Sequence, residues 1–367
     1  MARKAARGSR GVERGDAVGA FAAMSRRIVD TPPRAAAKKS VKGRRGASGK
    51  RPVADVSTDA ARQRAAGVAV KLGRAQADWV IERRRERLDG RKRAIKKSAA
   101  RKRVGKGAAK KAGDAVSLGV IVAEGDSWFD YPFYDVLKLL EDDHGFDVET
   151  VAHRGDSVES MAYDGGQLED FVRTVERVIR RGQTPRAILL SGGGNDVAGD
   201  GFALLLNHRS SPANGLNAAV LEGVIETRIA IAYTTIIAAV TQSCTTLLGR
   251  VLPIVLHGYD YPVPDGRGFL GGFAWLPGPW LEPGFREKGY DDLQERIDVA
   301  RVLIDRFNAA LASVAAMPGF GHVRHLDLRN SLSTTLANDR YKAWWGNELH
   351  PTYDGFSRIA ARFAAIL

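Results

Sequence analysis

Ser127 follows Gly125-Asp126 at the end of the apolar run Leu118–Ala123, where a buried strand would break into a turn. A serine exposed at such a turn is a candidate nucleophile, but near neutral pH it needs a base within hydrogen-bond reach. It also needs donors for the oxyanion that develops when it attacks a carbonyl. The chain offers both further on. His350, in Asn347-Glu-Leu-His-Pro351, is the candidate base, and Pro351 stiffens the segment that carries it. The candidate oxyanion donors are the backbone N–H of Ser127, that of Gly155, where no side chain blocks close approach, and the amide of Asn195. The glycines from Gly192 to Gly194 let the chain bend tightly beside Asn195. Such a set points to acyl transfer through a covalent serine intermediate.

These residues need elements to bring them together. Five short apolar runs read as strands: Leu118–Ala123, Val148–Ala152, Ala187–Leu190, Leu252–Leu256 and Val323–Leu328. Helical stretches separate them at Tyr134–Asp142, Val158–Arg181, Leu216–Leu248 and Tyr290–Ala316. Short apolar strands alternating with helices predict an α/β fold with a parallel sheet covered on both faces. In open sheets of this kind the site lies beyond the carboxyl ends of the strands. Ser127, Gly155 and Asn195 follow the first three runs, His257-Gly-Tyr-Asp-Tyr-Pro262 follows the fourth, and the His350 segment comes after the fifth. That shared placement carries more weight than any single tripeptide.

Each residue has a plainer reading. Gly-Asp-Ser occurs again at 155–157, where Asp156-Ser-Val-Glu159 reads more naturally as a helix N-terminus. Asp126 by default is a turn residue, and Asn195-Asp196 is a common turn pair. Trp128, His257, Tyr259 and Tyr261 are candidates to line a substrate pocket, although a histidine at a strand end is more often a satisfied core group. Trp275 and Trp280 lie in the Gly/Pro-rich stretch Asp260–Gly284, which either walls a pocket or pins a loop. Trp344 and Trp345 precede the histidine segment and are suited to anchoring it by burial.

Gly-Asp-Ser, a lone Gly, Gly-x-Asn-Asp and a C-terminal His-Pro, in that order, resemble the four blocks of the SGNH (GDSL-type) hydrolases. The resemblance spans roughly residues 117–367. It implies a flavodoxin-like three-layer α/β/α sandwich with a five-stranded parallel sheet of order 2-1-3-4-5. It also implies Ser127 as nucleophile, His350 as base, an oxyanion hole from Ser127, Gly155 and Asn195, and ester substrates such as lipids, acylated sugars or small esters. No metal and no organic cofactor is implied. A Gly-x-Ser-x-Gly elbow, the mark of a different hydrolase fold, is absent.

One position departs from that family. It usually carries Asp three residues before the histidine, and here the residue is Asn347. An amide oxygen can accept from the imidazole but cannot stabilise imidazolium as a carboxylate does. The equivalent Asp-to-Asn change in a serine protease removes about four decades of turnover. Three readings are open: Glu348 or Asn347 orients the ring, a backbone carbonyl suffices and leaves a dyad, or the site is impaired.

The formal net charge of +14 conceals two unlike parts. Residues 1–116 hold 34 Lys/Arg against 10 Asp/Glu, and the remainder holds 22 against 32. The division falls into a basic low-complexity extension, 1–115, and a hydrolase-like domain, 116–367. Residues 1–50 have too little apolar content to offset ordering entropy and are expected to lack structure, while basic helices are expected within 56–97. Such a segment suits sequence-blind nucleic-acid binding or contact with an anionic membrane. The second functional reading is therefore a nucleic-acid- or anionic-surface-associated protein whose hydrolase domain is inactive or secondary. Cys244 is the single cysteine and excludes an intramolecular disulfide. Residues 229–249 are apolar enough to span a membrane, but five threonines, Gln242 and Ser243 favour a buried helix. Without a convincing signal peptide, a cytoplasmic location is expected, with export by a route lacking a cleavable signal as the alternative.

Overall fold

The computed structural model describes residues 58–99, 117–164, 166–271 and 276–367. The expectations for residues 1–50, and most of the basic partner-binding stretch, lie outside these.

The protein is an α/β structure built on a five-stranded parallel sheet. Its strands are β1 (Val120–Glu124), β2 (Asp147–Thr150), β3 (Ala187–Leu190), β4 (Ile254–His257) and β5 (Val323–Leu326), in the order 2-1-3-4-5. The three central strands are buried along their whole length, whereas the two edge strands are partly exposed. Burial on both faces explains why the central strands read as unbroken apolar runs. β1 extends to Glu124, a carboxylate that is 1% exposed. Gln167 Nε2 and Gly125 N donate to it, and burial holds its carboxyl well above the ordinary range.

Helix α1 (Asp59–Ala99) precedes the sheet. The remaining long helices are α2 (Val136–Asp142), α3 (Val158–Tyr163), α4 (Gln167–Arg180), α5 (Ala230–Leu248), α6 (Leu293–Ala315) and α7 (Tyr353–Ala364). Parallel crossovers are right-handed, so the reversal of strand order at β1 sends α2 to one face and the later crossover helices to the other. The packing agrees. α2 meets α7, while α3 and α4 meet α5, and α5 meets α6. The helix expected over 158–181 is two helices, broken at Gly166, which has φ +85°. The stretch before α5 widens into a π-helical segment, Glu222–Ile229.

α1 lies outside α4 and α5 as an extra layer. Ala69, Gly73 and Ala77, spaced four apart, form its seam. A Cβ on Gly73 would come within 2.2 Å of the Thr235 carbonyl oxygen, so glycine is what lets the two helices meet. Ala77 and Val80 join the same hydrophobic core as the sheet, and Arg84 pairs with the buried Glu176 of α4 at 3.0 Å. Among the described residues, Ala218–Leu248 is long and apolar enough to cross a membrane, and 67% of its most apolar window is buried against the rest of the chain.

Candidate active site

Three loops at the carboxyl end of the sheet build the site. The first follows β1. A Cβ on Gly125 would lie within 3.0 Å of Ser191 and Phe129, so only glycine lets the chain turn there. Asp126 then faces inward. Its carboxylate accepts from Trp128 N at 3.0 Å, from Ser191 Oγ at 2.8 Å and from the Tyr259 hydroxyl. Full burial pushes its pKa up, against the lowering effect of those donors. With Asp126 anchored inward, Ser127 is presented to the cleft. The plain reading of Asp126 as a turn residue therefore understates it: two other segments, those of Ser191 and Tyr259, join its own turn at the carboxylate.

The second loop carries the histidine. Gly346 N and Asn347 N both donate to the His350 carbonyl, which folds residues 346–350 into a tight turn. Trp128 Nε1 donates to Leu349 O at 3.0 Å and ties this turn to the serine turn. Ser127 Oγ lies 2.7 Å from His350 Nε2. On the other side of the ring, Nδ1 lies 3.1 Å from Asn347 Oδ1.

The direction of the Asn347 amide is set by its neighbours. Oδ1 accepts from Leu349 N at 3.0 Å and from His350 N at 2.9 Å, and only an oxygen can accept from two backbone N–H groups. Nδ2 therefore points the other way and donates to the Tyr131 hydroxyl at 3.0 Å. An oxygen facing Nδ1 requires the imidazole proton there, which leaves the Nε2 lone pair for Ser127. Asn347 thus selects the tautomer that a general base needs. The Tyr131 ring also stacks on the imidazole at 4.3 Å, and Trp280 presents an edge at 5.5 Å. His350 is 5% exposed, and burial lowers its pKa to about 3.

Glu348 requires a correction. Its carboxylate does not orient His350. It is fully buried and accepts four backbone N–H bonds, from Gly266 and Glu282 at 3.0 Å, Trp280 at 2.7 Å and Leu281 at 2.8 Å. In so tight a turn, neighbouring side chains leave in different directions, and Glu348 clamps the loop that carries Trp280 and Leu281 over the site.

The third region holds the expected oxyanion donors. Gly155 has φ +91°, which is why glycine stands there, although nothing crowds its missing Cβ. Asn195 sits in a one-turn helix, Gly194–Val197, and donates from Nδ2 to Asp156 O at 2.9 Å, joining its loop to that of Gly155. Gly194 N donates to the Tyr259 hydroxyl at 3.1 Å. Asp196 accepts from Val158 N at 2.9 Å, and burial raises its pKa to about 6.

Ser127, Trp128, Asn195, Tyr259 and His350 line one cavity. His257 and Tyr261 do not, which corrects two pocket expectations. His257 is fully buried beneath the site, stacked on Trp128 at 5.5 Å, and burial lowers its pKa to about 4. The Tyr261 hydroxyl donates to Asp305 at 2.7 Å, with Arg301 over its ring, away from the cavity. Tyr131 is not evident from sequence, where an aromatic in Tyr131-Pro-Phe-Tyr134, four residues past the serine, is its only signal. Leu303, Ile304 and Phe307 also line the cavity, and in sequence they are indistinguishable from the ordinary core stripe of a helix.

No family model matches the chain, and no curated protein matches it in sequence. Among solved structures, the broad likeness is to hydrolases of α/β type. Axe2, an acetylxylan esterase from Geobacillus stearothermophilus, is 15% identical, with 68% of this chain and 94% of that chain covered and a TM-score of 0.35. A protein from Slackia heliotrinireducens, provisionally described as an SGNH hydrolase, is 12% identical, with 67% and 97% covered and a TM-score of 0.36. Likenesses this distant carry no assignment, so the functional reading rests on the geometry above.

Proposed function

We propose that the protein is a serine ester hydrolase working through an acyl-enzyme. What supports this reading above all is the Ser127 Oγ–His350 Nε2 contact of 2.7 Å, combined with an Asn347 amide whose direction puts the imidazole proton on Nδ1. Ser127 Oγ attacks the acyl carbonyl while its proton passes to His350 Nε2. The oxyanion is received by the Ser127 and Gly155 backbone N–H groups and by the Asn195 amide. The imidazolium returns its proton to the departing alkoxide, and water repeats the sequence to release the acid.

Asn347 does not make this chemistry idle. The large loss on Asp-to-Asn replacement in a serine protease comes with the wrong tautomer. Here the tautomer is the productive one, and what is missing is only the negative charge. The stacked Tyr131 ring offers its π face to the imidazolium in partial compensation, an interaction of about 0.5–2 kcal/mol. A neutral partner suits a histidine whose burial already lowers its pKa to about 3.

The test is hydrolysis of chromogenic carboxylic esters by the wild type and by Ser127→Ala, with folding of both checked by circular dichroism. Serine-dependent turnover sustains the proposal. Equal rates in the two folded proteins on every ester would sink it.

A further inference from the structure

The reaction centre opens into an apolar cavity. Its empty space, counted with the open mouth, is about 650 Å³. α6 supplies Leu303, Ile304 and Phe307, the π-helical segment supplies Ile225, and the loops supply Leu281 and Trp345. All six are less than 9% exposed.

Most of the polar side-chain atoms on this lining are already engaged, and the buried Trp345 Nε1 is an exception without a partner. Asp126 accepts three bonds as described, and Asp260 accepts from Tyr261 N, Asn330 N and Leu332 N. The Tyr259 hydroxyl donates to Asp126 and accepts from Gly194 N. No Lys or Arg is among the lining residues. A sugar ring or a charged acid placed here would exchange water for few partners, at a cost of roughly 1–3 kcal/mol for each buried group left unpaired. An alkyl chain would give up nothing.

The proton path sets the orientation. The leaving oxygen must face His350 Nε2, because that nitrogen protonates it. With the oxyanion turned to the Ser127, Gly155 and Asn195 donors, the acyl group is then the substituent that extends away from His350 past Gly193. Phe307 is on that side, since a Cβ on Gly193 would fall 2.5 Å from its ring. Ion pairs fix the wall elements to their neighbours. π-Helical turns are rare and concentrate at functional sites, and the one here carries Ile225 into the lining. Arg306 of α6 donates to Glu226 of that segment at 3.0 Å, and Arg62 of α1 donates to Glu222 at its start.

We propose that this cavity binds the acyl chain of the substrate and selects esters of apolar acyl groups longer than acetyl. The inference rests on the ester-hydrolase reading and names its substrate class.

The experiment measures kcat/KM on two series: acetyl, butanoyl and octanoyl esters of one alcohol, and acetate esters of alcohols of increasing length. Wild type, Ile304→Trp and Phe307→Ala are compared, with folding checked for each. The expected result is a preference for octanoyl over acetyl of at least about tenfold, within what one or two buried methylenes supply. In Ile304→Trp that ratio falls by about tenfold or more, and in Phe307→Ala the optimum moves to longer chains. A flat acyl series with serine-dependent acetyl turnover overturns the cavity proposal and leaves the hydrolase reading standing. So does length preference confined to the alcohol series. If no ester is cleaved, the hydrolase reading fails, and calorimetry with 1-octanol decides the cavity. Binding abolished by Ile304→Trp sustains an alkyl site, and absence of binding overturns it.

Discussion

Gly-Asp-Ser occurs at 125–127 and again at 155–157, each just past the carboxyl end of a strand, and the two copies have been put to different uses. In the first, the aspartate is buried under three donors and the serine meets a histidine. In the second, Ser157 Oγ accepts from Ser160 N at 3.1 Å and caps α3, while Asp156 is held by Gln167 on the partly exposed side of the loop. The tripeptide itself decides neither outcome. β1 is a central strand flanked by β2 and β3, so the turn at its end faces other loops; β2 is an edge strand, and the turn at its end leads into a helix. In the proposed hydrolase, position in the sheet assigns the chemistry.

The comparison breaks most visibly at the serines. Ser127→Ala is expected to lower kcat by at least about a thousandfold, since removing a serine nucleophile from such a unit leaves only residual binding and oxyanion effects. Ser157→Ala is expected to turn over ester within a few-fold of wild type. Equal losses in steady-state assays would erase the distinction. The aspartates come next. Asp126→Ala strands Trp128 N, Ser191 Oγ and Tyr259 Oη, and should cost about 3 kcal/mol in urea unfolding; Asp156→Ala should cost about 1 kcal/mol.

The pH profile sharpens the account of the first copy. As the proposed general base, His350 would act only when neutral, and burial places its pKa near 3 rather than 6.5. Activity should therefore persist as pH falls through 6.5, with the acid limb of kcat/KM below pH 5. Asn347→Asp introduces a charge that favours imidazolium and should move that limb up by about one pH unit or more. A wild-type limb between pH 6 and 7 would contradict the buried, uncharged environment. The smallest effect belongs to the second copy: Ser157→Ala removes an N-cap and should cost about 1 kcal/mol, read as a Tm lower by a few degrees.

Much of the frame is legible in the chain because it depends on local pattern. Each central strand is a short apolar run stopped by glycine or a turn residue, and the strand order comes from alternation with helices once the family resemblance is granted. Boundaries differ by a residue or two. The strand expected at Val148–Ala152 is Asp147–Thr150, since an edge strand mixes exposed and buried positions and blurs its own ends. Gly166 marks the break between α3 and α4, but the apolar period on either side runs on in phase and hides it.

The hidden parts depend on contacts distant in sequence. Glu348 stands two residues from His350, and sequence adjacency makes it a natural partner. Its partners are backbone N–H groups at Gly266 and from Trp280 to Glu282, which leave no trace in side-chain identity. Tyr131 is a similar case, because its role depends on the direction of the Asn347 amide, which only the folded turn defines. The cavity residues of α6 carry the same 3–4 spacing whether they border a ligand or the core.

α1 has a consequence in time as well as space. It leaves the ribosome well before α5, its main neighbour, by an interval of roughly ten seconds at about 5–20 residues per second. During that wait its seam of Ala69, Gly73 and Ala77 is bare, but alanine and glycine have little apolar surface to leave wet. The apolar α5, by contrast, emerges when a matching surface already exists. The order of the chain places the member of the pair that tolerates solitude first, and the one that does not arrives to find its cover in place.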